Sequence, residues 1–284
     1  DKIRIHDIVS WNILISGYVQ HEWNGKALAC FEKMQLEGVC PDAFSFTCSL
    51  KACGNIGATN DGRKIHNDIA KKGLLESNIA IGNALLDMYA KCGLLTEALE
   101  IFKELHIPDV VSWTALISGY VDHKLCKEAL DCFDQMKLEG IAPNIITFAC
   151  SLRACGSIGD IEKGREMYDN VMKKSLERDI VVGNTLIDMF SKCDCITEAK
   201  DVFDKMWQRD IVLCNAIISA FAQSGDILEA IYVFLEMELY GIKPDTITYI
   251  SILTVCSHTG ETDLAIHCFG SMTKNHSITQ SDDH

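Results

Sequence analysis

Residues 8–42 read IVSWNILISGYVQHEWNGKALACFEKMQLEGVCPD. An apolar segment runs from Val9 to Val19, in which Ile13, Leu14 and Val19 keep helical spacing. Gly17 is a small residue at which helices can approach closely. A break follows near Gly25. Ala27, Leu28, Phe31 and Met34 then recur at steps of three and four residues, the period of a second amphipathic helix. Gly38 stops that helix and Pro41 prevents its continuation. The same text returns at residues 110–144, VVSWTALISGYVDHKLCKEALDCFDQMKLEGIAPN, and in looser form at 211–245. A chain that repeats itself at this period is a solenoid, in which each unit packs only on its neighbours.

The rest of the chain tiles around this unit. Residues 1–7 read as the tail of a preceding repeat. Residues 8–42 span 35 positions, 43–78 span 36 with a different text, and 79–109 span only 31. The cycle restarts with 110–144, 145–179 and 180–210, and again with 211–245 and a truncated unit at 246–284. The super-period is 102 residues and then 101. Each unit reads as two antiparallel helices, and no alternating strand pattern is sustained. The expected fold is all-α, a right-handed superhelical solenoid of about sixteen helices with the first helices lining the concave face.

The chain has 284 residues, of which 48% are hydrophobic, so every unit can feed a continuous core. No apolar run reaches the length of a membrane span, and no membrane partner is expected. Nothing at the start reads as a signal or transit peptide. Because the chain begins and ends inside repeats, it reads as an internal fragment. Fourteen cysteines would suggest disulfides or metal in a small secreted protein. Here Cys30, Cys48 and Cys53 recur as Cys132, Cys150 and Cys155, each 102 residues on, and Cys92 recurs as Cys193. They belong to the repeat and read as small packed thiols. The close pair Cys193 and Cys195 has no second ligand pair at zinc spacing, so neither metal nor cofactor is expected.

These motifs resemble the pentatricopeptide repeat family in its plant-organelle form, with alternating standard, long and short repeats. The resemblance rests on WNxLISGY…EAL…F..M…G..P-D text from Ile8 and Val110. It rests also on LxACGxIG text at Leu50 and Leu152, and on GNxLIDMYxKCG-like text at Gly82 and Gly183. The third copy departs from it: IVLCNAIISAF at Ile211 lacks the Trp. A tetratricopeptide reading fits less well, because that unit has 34 residues and other marker positions.

The resemblance implies a reader of single-stranded RNA, about one base per repeat. A base has a polar edge and two apolar faces. One short polar side chain can bond the edge, a second can orient the first, and aliphatic residues can sandwich the ring. The family gives these roles to the fifth, last and second residues of each repeat. The edge-reading pairs become Asn12 with Asp42, Asn83 with Asp109, Thr114 with Asn144, Asn184 with Asp210, and Asn215 with Asp245. By the family's code, Asn with Asp prefers U and Thr with Asn prefers A. The longer repeats carry Thr47 with Asn78 and Ala149 with Asp179; Ala149 has no polar atom to read an edge, and Ile250 is equally silent. The sandwich positions are Val9, Phe44, Ala80, Val111, Ile146, Val181, Val212 and Ile247. Lys91 and Lys192 resemble the family's phosphate-contacting lysines.

A net charge of −14 argues at first against nucleic acid. The first helices, however, carry Lys51, Lys91, Arg153 and Lys192 against Asp87, Asp122 and Asp188, so the acidity lies on second helices and turns. Few phosphate contacts give modest affinity and a shallow salt dependence. No catalytic constellation is present: there is no His-x-Glu, phosphate loop or Gly-x-Ser-x-Gly, and His66 and His267 read as packed or surface residues. The expected function is therefore site selection in a mitochondrial or chloroplast transcript, for C-to-U editing or RNA processing. Editing-accessory proteins or a deaminase would be further partners. A protein-binding helical scaffold without base readout is the alternative.

Overall fold

The computed structural model describes residues 7–75, 78–176 and 179–259, together with Ile266 and Gly270. These residues form fifteen α-helices and no strand. In chain order they are α1 (Ile8–Gln20), α2 (Asn24–Leu36), α3 (Ala43–Ile56), α4 (Thr59–Lys71), α5 (Ile79–Lys91), α6 (Leu95–Glu104), α7 (Val110–Asp122) and α8 (Cys126–Leu138). They continue with α9 (Ile145–Ile158), α10 (Ile161–Lys173), α11 (Ile180–Lys192), α12 (Ile196–Lys205), α13 (Ile211–Ser224), α14 (Ile227–Leu239) and α15 (Thr246–Thr259). The expected tail at 1–6 and a sixteenth helix beyond 259 lie outside the described residues.

The helices fall into two units, residues 1–147 and 148–284. Within the first, α1 packs on α3, α3 on α5 and α5 on α7, while α2, α4 and α6 each pack on their own odd partner and on the next odd helix, and α8 packs on α7. Within the second, α11, α13 and α15 follow the same order, with α12 and α14 behind them. Each unit is therefore an array in which odd helices form one layer and even helices the other. The core between the layers is aliphatic and aromatic: Ile15, Phe46, Leu50, Leu85 and Leu86 in the first unit, Leu186, Phe190, Ile217 and Tyr249 in the second, all fully buried. Full burial of one such side chain stabilises by about 1.5–3 kcal/mol.

The helix starts follow from short polar residues. Asp7, Asp42, Asn78, Asp109, Asp179 and Asp210 each take a first-turn backbone N–H of the following odd helix on the side chain, which removes an orphan donor. Asn144 and Asp245 do the same for the N–H of Thr147 and Thr248, at 2.8 and 2.9 Å. The helix ends follow from backbone sign: Gly38, Gly140 and Gly241 have φ of 75°, 77° and 72°, a region that strains any side chain. The break expected near Gly25 falls earlier, at His21–Trp23. There Glu22 takes φ 60° and Trp23 N–H donates to the Tyr18 carbonyl at 2.8 Å, so Gly25 lies inside α2.

The short repeats lose one turn of their second helix, α6 and α12 having ten residues where α2 and α8 have thirteen. The residue after the truncated helix then folds back. Leu105 comes so close to Gly82 that an added Cβ would stand 2.4 Å from it, and Met206 crowds Gly183 at 2.9 Å. A Cβ added at Gly17 would meet nothing within 4 Å, because α1 has no described helix before it; one added at its counterpart Gly119 would stand 2.6 Å from the Ala90 methyl. The lost Trp of the third copy is also accounted for. Trp113 stacks edge-on to Phe102 at 4.6 Å. Where Cys214 replaces that Trp, the Arg209 guanidinium covers the equivalent Phe203 at 4.1 Å and pairs with Glu236 at 2.5 Å.

Candidate functional site

The fifth residue of each repeat lies one turn beyond the second residue on the same face of an odd helix. The second-position residues Val9, Phe44, Val111, Ile146, Val181, Val212 and Ile247 are 49–60% exposed, and Ala80 is exposed too. The fifth-position residues beside them are sheltered: Asn83, Thr114 and Asn215 are 8–9% exposed. Each unit thus presents a row of open apolar side chains, beside which the fifth-position residues are buried or half-buried, and polar except at Ala149 and Ile250.

Three of the expected pairs close directly. The Asn12 amide donates through Nδ2 to both carboxylate oxygens of Asp42, at 3.2 and 3.1 Å. Asn83 donates to Asp109 at 3.1 Å, and Asn215 to Asp245 at 3.1 Å. A third group, which the sequence reading missed, completes each cluster. It is the third residue of the following repeat. Ser45 Oγ donates to Asn12 Oδ1 at 2.5 Å, Ser112 Oγ to Asn83 Oδ1 at 2.6 Å, and Thr248 Oγ1 to Asn215 Oδ1 at 2.6 Å. All three hydroxyl residues have negligible exposure. The carboxylate holds one end of the amide and the hydroxyl holds the other. An amide has two N–H groups and two lone pairs, so one donor and one acceptor stay open beside each other.

The carboxylates are well anchored. Burial raises the carboxyl pKa of Asp42, Asp109 and Asp245, and hydrogen bonds outweigh it. The backbone N–H and hydroxyl of the third residue, together with the Asn amide, hold all three below the usual carboxylate range.

The other pairs differ. Thr114 makes no hydrogen bond to Asn144; its hydroxyl donates to the Val110 carbonyl at 2.6 Å and meets Thr147 Oγ1 at 2.7 Å, and Thr147 bonds Asn144 Oδ1 at 2.9 Å. Thr47 donates to its own helix at the Phe44 carbonyl, 3.0 Å, while Asn78 is used up as the cap of α5. Asp179 caps α11 opposite Ala149. Asn184 has no hydrogen bond to Asp210, which is engaged by Leu213 N–H at 2.8 Å, and its buried Oδ1 has no partner. At the third position Leu213, buried and apolar, stands where Ser45, Ser112 and Thr248 supply a hydroxyl.

Lys91 and Lys192, the expected phosphate contacts, each pair with a carboxylate four residues back, Asp87 at 2.7 Å and Asp188 at 2.6 Å. Both remain partly exposed, with the local charge balanced. His66 packs edge-on to Tyr89 with Nδ1 2.8 Å from the phenol oxygen. Burial pushes its imidazole pKa down, against Glu104. His267 lies outside the described residues. The described cysteines are free thiols, and burial pushes Cys53 and Cys155 up to about 12. Cys195 Sγ turns back on the Cys193 carbonyl at 3.3 Å. No helix among the described residues is long and apolar enough to cross a membrane.

Fold and site together define a helical-repeat protein that offers an open apolar side chain in each repeat and, beside those of Val9, Ala80 and Val212, a closed polar cluster. The chain belongs to the PPR repeat family, whose sequence pattern matches residues 6–55, 108–157 and 209–258, with further single repeats at 83–106, 184–211 and 247–277. A mitochondrial pentatricopeptide repeat-containing protein of Arabidopsis thaliana is 32% identical over 284 residues, covering 100% of this chain and 51% of the relative. A chloroplastic one from the same plant is 34% identical over 284 residues, covering 100% of this chain and 35% of its own length. The chain therefore spans about half or less of these relatives. Among solved structures, the pentatricopeptide repeat protein PPR10 in complex with an 18-nt psaJ RNA element superposes with a TM-score of 0.77. It is 23% identical, and the match covers 96% of this chain and 41% of that one. The likeness shows a shared all-α repeat fold.

Proposed function

We propose that this chain binds single-stranded RNA at about one base per repeat and selects a site in an organellar transcript. The observation that carries the reading is the clamped amide. In Asn12, Asn83 and Asn215, one donor and one acceptor are left open, oriented, and flanked by half-exposed aliphatic residues. A protein with no planar polar ligand gains nothing from exposing an apolar side chain beside a recessed polar one at a fixed period. Uracil offers N3–H and O4 side by side, which complements an open acceptor and donor. The two-ring base adenine fits the shorter Thr114, whose hydroxyl proton is committed to Val110 and whose oxygen accepts from the exocyclic amine.

The names of the PPR10–RNA complex and of mitochondrial and chloroplastic relatives support RNA and an organelle. Alternating standard, long and short repeats support C-to-U editing or RNA processing as the setting, with editing-accessory proteins or a deaminase as partners. Lys91 and Lys192 would turn from their aspartates to phosphates. With the N-terminus toward the RNA 5′ end, the site is 5′-U-n-U-A-n-U-U-n-3′. Selection from a random RNA pool tests this: enrichment of that pattern is expected. A G- or C-dominated motif at the five read positions refutes the assignment, and no motif at all favours a protein scaffold.

A further inference from the structure

The clamped amides and the unclamped Asn184 are the same residue type in the same place, set apart by one neighbour. Resting on the RNA reading above, we infer that the third-position hydroxyl of the following repeat decides whether an Asn repeat distinguishes U from C. The repeat at 180–210, which meets Leu213 instead, would then accept both pyrimidines.

An Asn amide turned by 180° exchanges its donor and its acceptor at almost no change in shape. On the adjacent edge atoms at positions 3 and 4, uracil presents a donor and then an acceptor. Cytosine presents an acceptor and then a donor. The two bases are therefore read by opposite orientations of one amide, and discrimination is worth only what it costs to turn the amide over. In the repeats of Asn12, Asn83 and Asn215 that cost is high. Turning Asn83 would point Oδ1 at the Asp109 carboxylate, 3.1 Å away, and take it from Ser112 Oγ, 2.6 Å away. Acceptor would face acceptor, and the hydroxyl proton would be left to the Asp109 carboxylate, 3.1 Å from Ser112 Oγ, with the amide oxygen losing its donor. Asn12 with Ser45 and Asn215 with Thr248 face the same cost. Asn184 faces none of it. No hydroxyl holds its Oδ1 and no carboxylate holds its Nδ2; Asp210 takes the Leu213 N–H and leaves the amide alone. A base would be its first partner, and the unheld amide can turn to offer its donor or its now buried acceptor to either pyrimidine. Ser45, Ser112 and Thr248 are thus positioning residues: they touch the amide and stay out of reach of the base, with negligible exposure.

The test uses the full chain with RNAs of the expected site carrying U or C at the third position (opposite Asn83) or the sixth (opposite Asn184). Wild type should prefer U over C by about tenfold at the third position and by less than about twofold at the sixth. Ser112→Ala should lower the preference at the third position several-fold, Asp109 keeping the remainder, and leave the first and seventh unchanged; Ser112→Thr, which keeps the hydroxyl, should restore it. Leu213→Ser should create a preference for U at the sixth position. Since Leu213 is buried, an RNA-free measurement runs beside it. In amide-selective NMR, the Asn83 side-chain NH₂ should exchange with solvent more slowly than that of Asn184, and Ser112→Ala should narrow the difference. A fold effect alone would weaken binding to both RNAs together and leave their ratio unmoved. Equal preference at the third and sixth positions in wild type, or an unchanged third-position ratio in Ser112→Ala, overturns the inference while the RNA reading stands. No base preference at the first, third or seventh position overturns the RNA reading, and the inference with it.

Discussion

Asp109 carries two loads that a substitution can separate. Its carboxylate caps α7 through Val111 N–H and Ser112 N–H, both at 2.9 Å, and it holds the Asn83 amide at 3.1 Å. Asp179 caps α11 through Val181 N–H and Val182 N–H, at 3.0 and 3.2 Å, and faces Ala149, so it carries the first load alone. Removing a cap costs about 1 kcal/mol. Leaving the nearly buried Asn83 amide without its charged acceptor costs about 1–2 kcal/mol more. Asp109→Ala should therefore destabilise its repeat by about 2–3 kcal/mol, and Asp179→Ala by about 1 kcal/mol. Repeat arrays open by neighbouring units, so the quantity to measure is the local opening free energy of α7 and α11 by native-state amide hydrogen exchange. The excess should depend on pH. A carboxyl whose folded pKa is depressed stabilises the fold above its unfolded pKa of about 3.9, and that stability is lost as pH falls through the lower folded value. The gap between the two variants should be full at pH 7 and should close in acid below about pH 4. Equal losses at pH 7 would refute the bond to Asn83 as an energetic contact, and an unchanged gap in acid would refute its ionic character.

The double substitution Thr114→Asn with Asn144→Asp recreates the pair at Asn12 and Asp42, with Thr147 already in place as the hydroxyl. It should move the fourth position from A to U by about 1–3 kcal/mol in relative affinity, and identical A-to-U binding ratios in wild type and variant would show the pair to be structural. With Lys91 and Lys192 as the expected phosphate contacts, log affinity against log salt should fall with a slope of about −1.4, near zero in the Lys91→Gln, Lys192→Gln variant. A slope unchanged by that variant would remove both lysines from the interface. Exposed Cys40 should alkylate well before Cys53 and Cys155, whose thiols burial pushes to about 12. Peptide mapping after brief iodoacetamide treatment at pH 8 checks the order, and early labelling of Cys53 would contradict its packing.

The sequence by itself determined the all-α repeat fold, because helical periodicity, Gly38 and Pro41 act within a few residues of where they stand, and because one text recurs at 110–144 and 211–245. It also marked Asn12, Asn83 and Asn215 with their aspartates, through a resemblance that fixes position within each repeat. The tertiary structure decided what each pair is. Asn12, Asp42 and Ser45 come from two repeats and meet only when α1 packs on α3. A serine in a first helical turn reads, on its own, as an ordinary helix-start residue, and Leu213 in the same place reads as core. Only packing turns that one difference into a held amide at Asn83 and an unpartnered oxygen at Asn184. Hydrogen bonding is directional and short-ranged, so its partners depend on which side chains the fold brings within about 3 Å, whereas helical periodicity is a property of each strip of chain alone.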